Sequence, residues 1–487
     1  MPLKAVCIEL RPNLNSGHVF LQFDQEIRGR KKTRLIIKEH DVHIVENGMY
    51  SKESQLVLRH DTFGMDIQRI SAFIVNGCHI SFRFNYTTLD TEALEQSIGI
   101  PLTAQPLLLS FAEHTEHLVA LQCNNCRSEL VSGCSYNRLR EFPSGLIDPS
   151  EFFCHTHGTT KHPVTLVPDL KGLYYGLNYI VLNISVLQER VINRSEHLYC
   201  KRCMCMLGLT IQSGTGAKLW ADALRWLPTM EATTPKLLPR QLFKHSTVTQ
   251  LMLRLLSTLW PTLPPLFSPA NSRALLVANM PDRQQHYMLI QVLDPQLNVL
   301  RRTVNEAEQL QHYRACKLYF RVFGSSQPDP TVLVQWQQQL EVPKMHISPH
   351  MFLELQARFN YNSALIPHAW RYNSAEEQLL LTYFFYETEE QELLNQHRPK
   401  ELTKRENPNK SSQDSELDDY ETDAGLDASL YETDDESDDE RSDSDSELTS
   451  SLLNKSAPIM AYEQNLAKRW SLQKQLSQPS TAPAPSD

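Results

Sequence analysis

The chain has 487 residues, of which 41% are apolar, and a formal charge of −10. This length corresponds to about three domains. The acidity is local, because residues 414–447 hold 17 acidic side chains and one arginine, so the remainder carries about +6. A mildly basic remainder excludes the strongly basic class of nucleic-acid-binding proteins, and no apolar run approaches the ~18 residues of a membrane span. We therefore expect neither a membrane nor a direct nucleic-acid partner.

The cysteine content and the N-terminal run indicate a reducing compartment. The run MPLKAVCIELRP lacks the basic-then-apolar pattern of a secretion signal. Ten cysteines are present, and paired cysteines in a reducing compartment are more often metal ligands than disulfides. The predicted location is cytoplasmic, with the nucleus as a second compartment.

Residues 1–122 are predicted to form a β domain. Short runs rich in Val, Ile and Phe recur between polar breaks: HVFLQF, TRLIIK, SQLVLRH, SAFIVNG and HISFRFNY. Runs of this length and spacing are typical of a sandwich or barrel. Cys7 and Cys78 lie within such runs, as does Cys316 further along the chain, and we interpret all three as small core residues.

Residues 123–225 are predicted to be a zinc-bearing β region with an inserted loop. Two CxxC pairs each lie between two β-like runs: Cys123 with Cys126, and Cys200 with Cys203. Two intervening residues let one turn direct both thiolates at one ion, and four thiolates give Zn²⁺ a closed structural site. The sequence therefore predicts one structural zinc, which is the only cofactor expected.

Two alternatives for the CxxC pairs remain open. The four cysteines can be unpaired buried residues, or a pair can carry redox chemistry, although a redox CxxC normally opens a helix and these pairs follow strand-like runs. Cys134 and Cys205 are available as substitute ligands.

The inserted loop is rich in cysteine and histidine. The stretch EFPSGLIDPSEFFCHTHG, at 141–158, contains Cys154, His155 and His157. Four interpretations are open: further ligands for the same zinc, a nucleophilic Cys–His pair, a solvated loop, or a thiol displayed to a metal in another protein. Four thiolates already complete the zinc site, which argues against the first. A base normally reaches the sulfur from elsewhere in the fold, which argues against the second.

Residues 240–386 are predicted to form an α+β domain. From Ser246 to Trp260, apolar residues follow the i, i+3, i+4, i+7 spacing of an amphipathic helix, with Ser246 or Thr247 as its cap. Strands are predicted at RALLVAN, YMLIQVL, VLRRT and KLYFRVF, with a turn at DPQLN. A second helix at SPHMFLELQARFN, the stretch LIPHAWRYNS and a last apolar run, QLLLTYFFYE, complete the domain.

Residues 387–487 are predicted to be a disordered acidic tail. Dense like charge and few core-forming residues prevent the burial that would offset chain entropy. The fold class expected for the whole chain is therefore α+β, with a β-rich, zinc-bearing N-terminal half, an α+β C-terminal half and this tail.

An ordered set of segments resembles a known family. LQCNNC, FPSGLIDPSEFFCHTH, GLNYIVLN and CKRCMCMLG, followed by LELQARFNYNSALIPHAWRYNS, resemble the HECT-like family of ubiquitin-protein ligases, whose members bind a ubiquitin-conjugating enzyme. The resemblance spans roughly residues 1–386, is weakest in the first hundred, and does not include the tail.

The resemblance implies residue roles in two places. The helix from Ser246 to Trp260 falls where the family contacts its conjugating enzyme, so its polar face, with Gln250 and Arg254, is a candidate contact. The apolar stripe of that helix is equally expected to be core. The segment from about 138 to 168 resembles a motif that plugs the active site of the metallo-β-lactamase-type endonuclease of messenger-RNA 3′-end processing. There Cys154, followed by His155, would ligate a metal of the partner, with Phe153 where a tryptophan is expected.

The resemblance implies an E3 ubiquitin-protein ligase. Its partners would be a ubiquitin-conjugating enzyme, ubiquitin and protein substrates, and its reaction would transfer ubiquitin to substrate lysines. A non-enzymatic inhibitor or assembly factor of the endonuclease, acting through Cys154, is the alternative. No cysteine follows Cys316, so no catalytic cysteine is assignable from the pattern.

Overall fold

The computed structural model describes ten stretches of the chain: 3–27, 33–47, 52–96, 103–112, 118–142, 166–229, 238–259, 272–303, 310–324 and 331–387. All of them belong to one compact unit, Met1–Glu389. They are strand-rich with few helices. Among them no helix combines the length and apolar character that a membrane crossing requires. The acidic tail after 387 lies outside the described residues.

The first segment of the chain forms eight strands and one short helix. These are β1 Leu3–Arg11, β2 Ser16–Phe23, β3 Thr33–Ile37, β4 Asp41–Asn47, β5 Lys52–Arg59, β6 Phe63–Met65, β7 Ser71–Asn76, β8 His79–Leu89 and α1 Thr91–Gln96. All five strands predicted here are present, because each run combines β-branched and aromatic residues with polar breaks.

The middle segment is entirely β apart from short 3₁₀ turns among its described residues. Its strands are β9 Leu118–Cys123, β10 Glu129–Cys134, β11 Arg138–Glu141, β12 Gly172–Gly176, β13 Tyr179–Asn183, β14 Val191–Arg194, β15 His197–Cys200, β16 Met206–Ile211, β17 Gly216–Trp220 and β18 Leu224–Thr229. They form a three-stranded sheet, β10-β9-β18, and a seven-stranded sheet, β11-β12-β13-β17-β16-β15-β14. One apolar cluster joins the two sheets and includes Cys123, Cys200 and Trp226.

The last described segment alternates helices and strands. Its elements are α2 Val248–Leu259, β19 Arg273–Asn279, β20 Gln285–Thr303, β21 Gln311–Phe323, α3 Thr331–Gln338, β22 Lys344–His346, α4 Pro349–Ser363 and β23 Leu380–Phe385. Both predicted helices are present. Thr247 caps α2 by accepting the Gln250 N–H at 3.2 Å, and Ser348 caps α4 by accepting the Met351 N–H at 3.2 Å.

One predicted feature of this segment is wrong. The turn expected at 294–298 is absent, because β20 runs through it as a single 19-residue strand. The pairing of β20 with β21 shifts register on both sides of Asp294. Pro295 has no N–H to contribute to a ladder, and such a bulge is one of the few places where a strand tolerates proline.

Strands from the first and last segments share one sheet. Its order is β22-β19-β20-β1-β2-β8-β6, with β21 between β20 and β23 and with β7 on β8. The join is the antiparallel pair of β1 and β20, in which Val6 faces Arg302 and Leu10 faces Asn298. The predicted boundaries 1–122 and 240–386 stay a prediction. Neither segment forms this ten-stranded sheet by itself, because each contributes part of its strands.

A buried ionic group strengthens this join. Glu9 of β1 is 1% exposed and accepts hydrogen bonds from Lys317 of β21 and Tyr383 of β23, both at 2.5 Å, and from Arg11 at 3.0 Å. Burial by itself would raise the pKa of Glu9, but Lys317 and Arg11 outweigh it and lower that pKa to about 2. The carboxylate is therefore charged and ties the two segments together at neutral pH.

Candidate functional site

The four cysteines of the two CxxC pairs meet at one point. Their sulfur atoms all lie within 4.8 Å of one another, although Cys126 and Cys200 are 74 residues apart in the chain. The Cys123–Cys203 and Cys126–Cys200 sulfur distances are 3.7 and 3.6 Å. A tetrahedral zinc with Zn–S bonds of about 2.3 Å separates its sulfurs by about 3.8 Å. The four side chains can therefore hold one metal ion.

The two turns that carry these cysteines have the same main-chain hydrogen bonds. In each, the N–H of the first cysteine donates to a carbonyl five residues later, and its own carbonyl accepts from the residue four later. The distances repeat: Cys123 to Ser128 2.9 Å and Arg127 to Cys123 3.0 Å, against Cys200 to Cys205 2.9 Å and Met204 to Cys200 2.8 Å. The repeated hydrogen bonds place the two thiols of each turn on the same side of that turn.

The residue after each CxxC has a left-handed backbone. Arg127 has φ of 59° and Met204 has φ of 57°, although neither is glycine. This conformation costs a side-chain-bearing residue about 1–2 kcal/mol. The same left-handed conformation at equivalent positions indicates that the two turns have the same backbone structure. Such strain persists where the surrounding structure requires it, here in the turns that orient the cysteines.

Main-chain N–H groups point at the sulfurs in both turns. Cys123 accepts from the N–H of Cys126, and Cys200 accepts from the N–H of Cys203. The second cysteine of each turn accepts from the residue two positions later: Ser128 for Cys126 and Cys205 for Cys203. Such donors stabilise a thiolate.

Burial opposes ionisation of all four thiols. Burial raises the pKa of Cys200 and that of Cys126. For Cys203, burial is outweighed by hydrogen bonds from the Cys205 main chain and the Asn125 side chain, which lower its pKa. A metal must displace the thiol protons, so its affinity is expected to fall as pH falls.

The two substitute ligands named above lie outside the four-sulfur group. The Cys134 sulfur lies 3.8 Å from the carbonyl oxygens of Ser135 and Leu170. The Cys205 sulfur lies 3.5 Å from that of Met206, and its thiol hydrogen-bonds to the thiol of Cys123 at the edge of the group. Within the described residues, the group of four contains Cys123, Cys126, Cys200 and Cys203 alone.

The first turn is connected to the C-terminal segment. Asn124, next to Cys123, donates to the carbonyls of Ala223 and Asp222, both at 2.8 Å. The carboxylate of Asp222 accepts from Ser348, the cap of α4, at 2.8 Å. His350 of α4 also lies 3.7 Å from that carboxylate. The first CxxC turn thus positions the start of α4.

The polar face of α2 is occupied within the protein. Gln250 accepts the N–H of Gln105 at 2.9 Å, and Arg254 donates to the carbonyl of the same residue. The apolar stripe of the helix is core, because Leu251, Met252 and Leu255 are at most 1% exposed. Contact of Gln250 and Arg254 with a conjugating enzyme stays a prediction.

The inserted loop lies outside the described residues. Its residues 143–165 include Cys154 and His155, so their predicted role at a metal of a partner endonuclease stays a prediction.

The other described cysteines differ in accessibility. Cys7 and Cys316 are fully buried, as predicted, and burial raises the pKa of both. Cys78 was predicted as a core residue, but it lies half-buried at the end of a hairpin beside His79. The sequence signal for that pair was the dipeptide Cys-His after a glycine, which by itself does not reveal the ring orientation.

Comparison with known proteins identifies the family. A family model described as HECT-like ubiquitin-conjugating enzyme (E2)-binding matches residues 9–379. That range includes the four-cysteine group, α2 and α4. Comparisons with curated proteins and with solved structures gave no match. The chain belongs to the HECT-like ubiquitin-conjugating enzyme (E2)-binding family.

Proposed function

We propose that the protein is an E3 ubiquitin-protein ligase, which binds a ubiquitin-conjugating enzyme and promotes transfer of its ubiquitin to substrate lysines. The observation that carries this proposal is membership of an E2-binding family over residues 9–379. A bound and oriented thioester reacts faster with an amine because the entropy of bringing the groups together is already lost on binding. Ubiquitin and protein substrates are the further partners, in the cytoplasm and also in the nucleus.

The four-cysteine group supports this proposal as a structural zinc centre. It joins two sheets and positions α4 through Asn124 and Asp222. A closed set of four thiolates leaves no open coordination position, so the ion would hold the platform and take no part in the transfer.

Metal analysis of reduced, purified protein tests the zinc centre. We expect about one zinc per chain in the wild type and in Cys134→Ser, a control outside the four-sulfur group. We expect its loss in Cys123→Ser and in Cys200→Ser, together with loss of folded structure in the middle segment. Absence of metal from the wild type would contradict the proposal.

Single-turnover discharge tests the ligase function. Ubiquitin-conjugating enzymes are loaded with ubiquitin, mixed with this protein, and followed for loss of the thioester with and without free lysine. Faster discharge with at least one enzyme is expected, and the zinc-deficient Cys200→Ser variant should lose that acceleration while Cys134→Ser keeps it. Unchanged discharge across the whole panel would refute the function.

A further inference from the structure

A thiol and an imidazole meet at the tip of the β7–β8 hairpin. Gly77 and Cys78 form its two-residue loop, with Gly77 at φ 55°, the backbone that such a turn requires. The Cys78 sulfur lies 3.5 Å from Nδ1 of His79. Main-chain N–H groups of Phe23 and Ile27 donate to the carbonyls of Cys78 and Gly77 at 2.8 and 3.0 Å, so the tip is anchored.

The C-terminal segment orients this imidazole. Nε2 of His79 lies 2.8 Å from the carbonyl of Ala364, which can only accept, so Nε2 carries the proton. Nδ1 then has a free lone pair facing the thiol. Burial lowers the pKa of His79, which keeps the ring neutral and able to take a proton. A nucleophile, a base and a group that orients the base are therefore in contact.

Two cationic side chains lie near the pair. Arg371 donates to the carbonyls of Ile366 and Ala364 at 2.7 and 3.4 Å, and its guanidinium is within electrostatic range of Cys78. Lys4 is within electrostatic range of His79. The Arg371 guanidinium is thus held by the same Ala364 carbonyl that orients the His79 ring.

Strand β7 next to this pair is suited to bind an extended peptide. Within the described residues it pairs only with β8, and its sequence SAFIVN has no charge. Phe73 and Val75 are 51% and 42% exposed, although both are apolar. An uncharged, apolar edge strand is a template for strand addition, and natural proteins usually protect such edges with charge.

The remaining described cysteines are engaged elsewhere. Cys7 and Cys316 are fully buried, four cysteines form the metal group, and the sulfurs of Cys134 and Cys205 lie beside main-chain carbonyls. The Cys78 sulfur, in contrast, faces a base, Nδ1 of His79.

We propose that Cys78 accepts ubiquitin from the conjugating enzyme as a thioester, with His79 as the base and with the C-terminal peptide of ubiquitin bound along β7. This rests on the proposed ligase function. His79 Nδ1 takes the Cys78 proton, and the sulfur attacks the thioester carbonyl. The new carbon–sulfur bond forms as the bond to the conjugating enzyme's cysteine breaks, and that cysteine leaves as a thiolate and recovers the proton. A substrate lysine then displaces Cys78.

The test uses full-length wild type, Cys78→Ala, Cys78→Ser and the control Cys134→Ser with a ubiquitin-loaded conjugating enzyme that the wild type discharges. Wild type and Cys134→Ser should form a ubiquitin adduct that thiols reverse. Cys78→Ser should form either an adduct that resists thiols and is cleaved by hydroxide, or none. Cys78→Ala should form none, while its zinc content and melting temperature match the wild type.

Alkylation provides a readout that is independent of ubiquitin. The rate at which Cys78 reacts with iodoacetamide, followed by peptide mass spectrometry, should fall at least about tenfold at neutral pH in His79→Gln. Glutamine keeps a donor for the Ala364 carbonyl and removes the base.

A Val75→Lys variant should form the adduct more slowly at an unchanged melting temperature, because charge on an edge strand opposes strand addition.

The outcomes separate this inference from the ligase function. Equal discharge and adduct formation by Cys78→Ala and wild type would overturn the role of Cys78 and leave the ligase function standing. An adduct that Cys154→Ala abolishes and Cys78→Ala retains would overturn it as well. Failure of the wild type with every conjugating enzyme would overturn both.

Discussion

At the scale of single residues, Glu9 shows how a charge can be buried. Its carboxylate is 1% exposed, and three donors from β1, β21 and β23 satisfy it. Removing one partner of such a group leaves another charge uncompensated, which typically costs about 3–5 kcal/mol. Lys317, itself only 13% exposed, is the charge that would be left.

We expect Glu9→Gln to lower the free energy of unfolding at neutral pH by about 3 kcal/mol. The pKa of Glu9 falls from its usual 4.5 to about 2 in the folded state, so its stabilisation is complete above 4.5. The stabilisation is lost as pH falls toward 2, and the difference between wild type and variant should shrink over that range. Urea unfolding at several pH values measures it.

The control for Glu9 is Arg69→Gln, which removes an exposed ion pair with Asp66. Exposed pairs contribute about 0–1 kcal/mol, so this variant should unfold almost like the wild type. A difference for Glu9→Gln that stays constant down to pH 2 would contradict the assignment of the charge.

Met204 allows a test of strain in the two CxxC turns. Its left-handed backbone, at φ 57°, costs about 1–2 kcal/mol, and glycine avoids that cost at an entropic penalty of about 0.5–1 kcal/mol. Met204→Gly should therefore be more stable than Met204→Ala by about 0.5–1 kcal/mol in zinc-loaded protein. Denaturant midpoints compare the two, and an equally stable alanine variant would rule the strain out.

At the scale of elements, α2 shows that a polar helix face need not be free. Gln250 and Arg254 both bind the main chain of Gln105, and this holds the helix against the stretch 103–112. The amphipathic spacing predicted the helix and its buried stripe, because that pattern depends only on neighbours along the chain. It could not reveal the contact with Gln105, 149 residues away from Arg254.

We expect Arg254→Gln to lower stability by about 1–2 kcal/mol, because it removes a charged donor from a partly buried carbonyl. Ser257→Ala, on the exposed side of the same helix, should change stability by less than about 0.5 kcal/mol. Thermal unfolding measures both. Loss of affinity for the conjugating enzyme in Arg254→Gln at unchanged stability would instead identify Arg254 as a partner contact.

At the scale of the whole molecule, the ten-stranded sheet makes the two ends of Met1–Glu389 depend on each other. β1 lies between β2 and β20, so the C-terminal strands lack a central neighbour without the N-terminal segment. Apolar clusters cross the same join, since Cys7 and Phe20 pack with Val299 and Tyr383.

A fragment of residues 240–389 should therefore be unfolded or aggregated, because the edge of β20 and the lysine that Glu9 neutralises would both be exposed. A chain ending at Glu389 contains every described element and should melt within about 2 °C of the full chain. Circular dichroism tests both. A cooperative transition in the isolated fragment would show that the shared sheet is dispensable.

The amino-acid sequence by itself determined the local features of this protein. The CxxC turns, many of the strands and the two capped helices depend on residues a few positions apart and were predicted from spacing and residue type. The ordered motifs also indicated the family that the match over residues 9–379 confirms.

Only the tertiary structure decided which distant residues meet. It paired β1 with β20, placed Gln105 under α2, and brought the Ala364 carbonyl to His79 across 285 residues of chain. No local pattern encodes these contacts, because they arise from the burial of apolar faces and the pairing of strands far apart in the sequence. For that reason Cys78, which the sequence indicated as core, became a candidate nucleophile once the fold turned the adjacent His79 ring toward its sulfur and placed the Ala364 carbonyl on that ring.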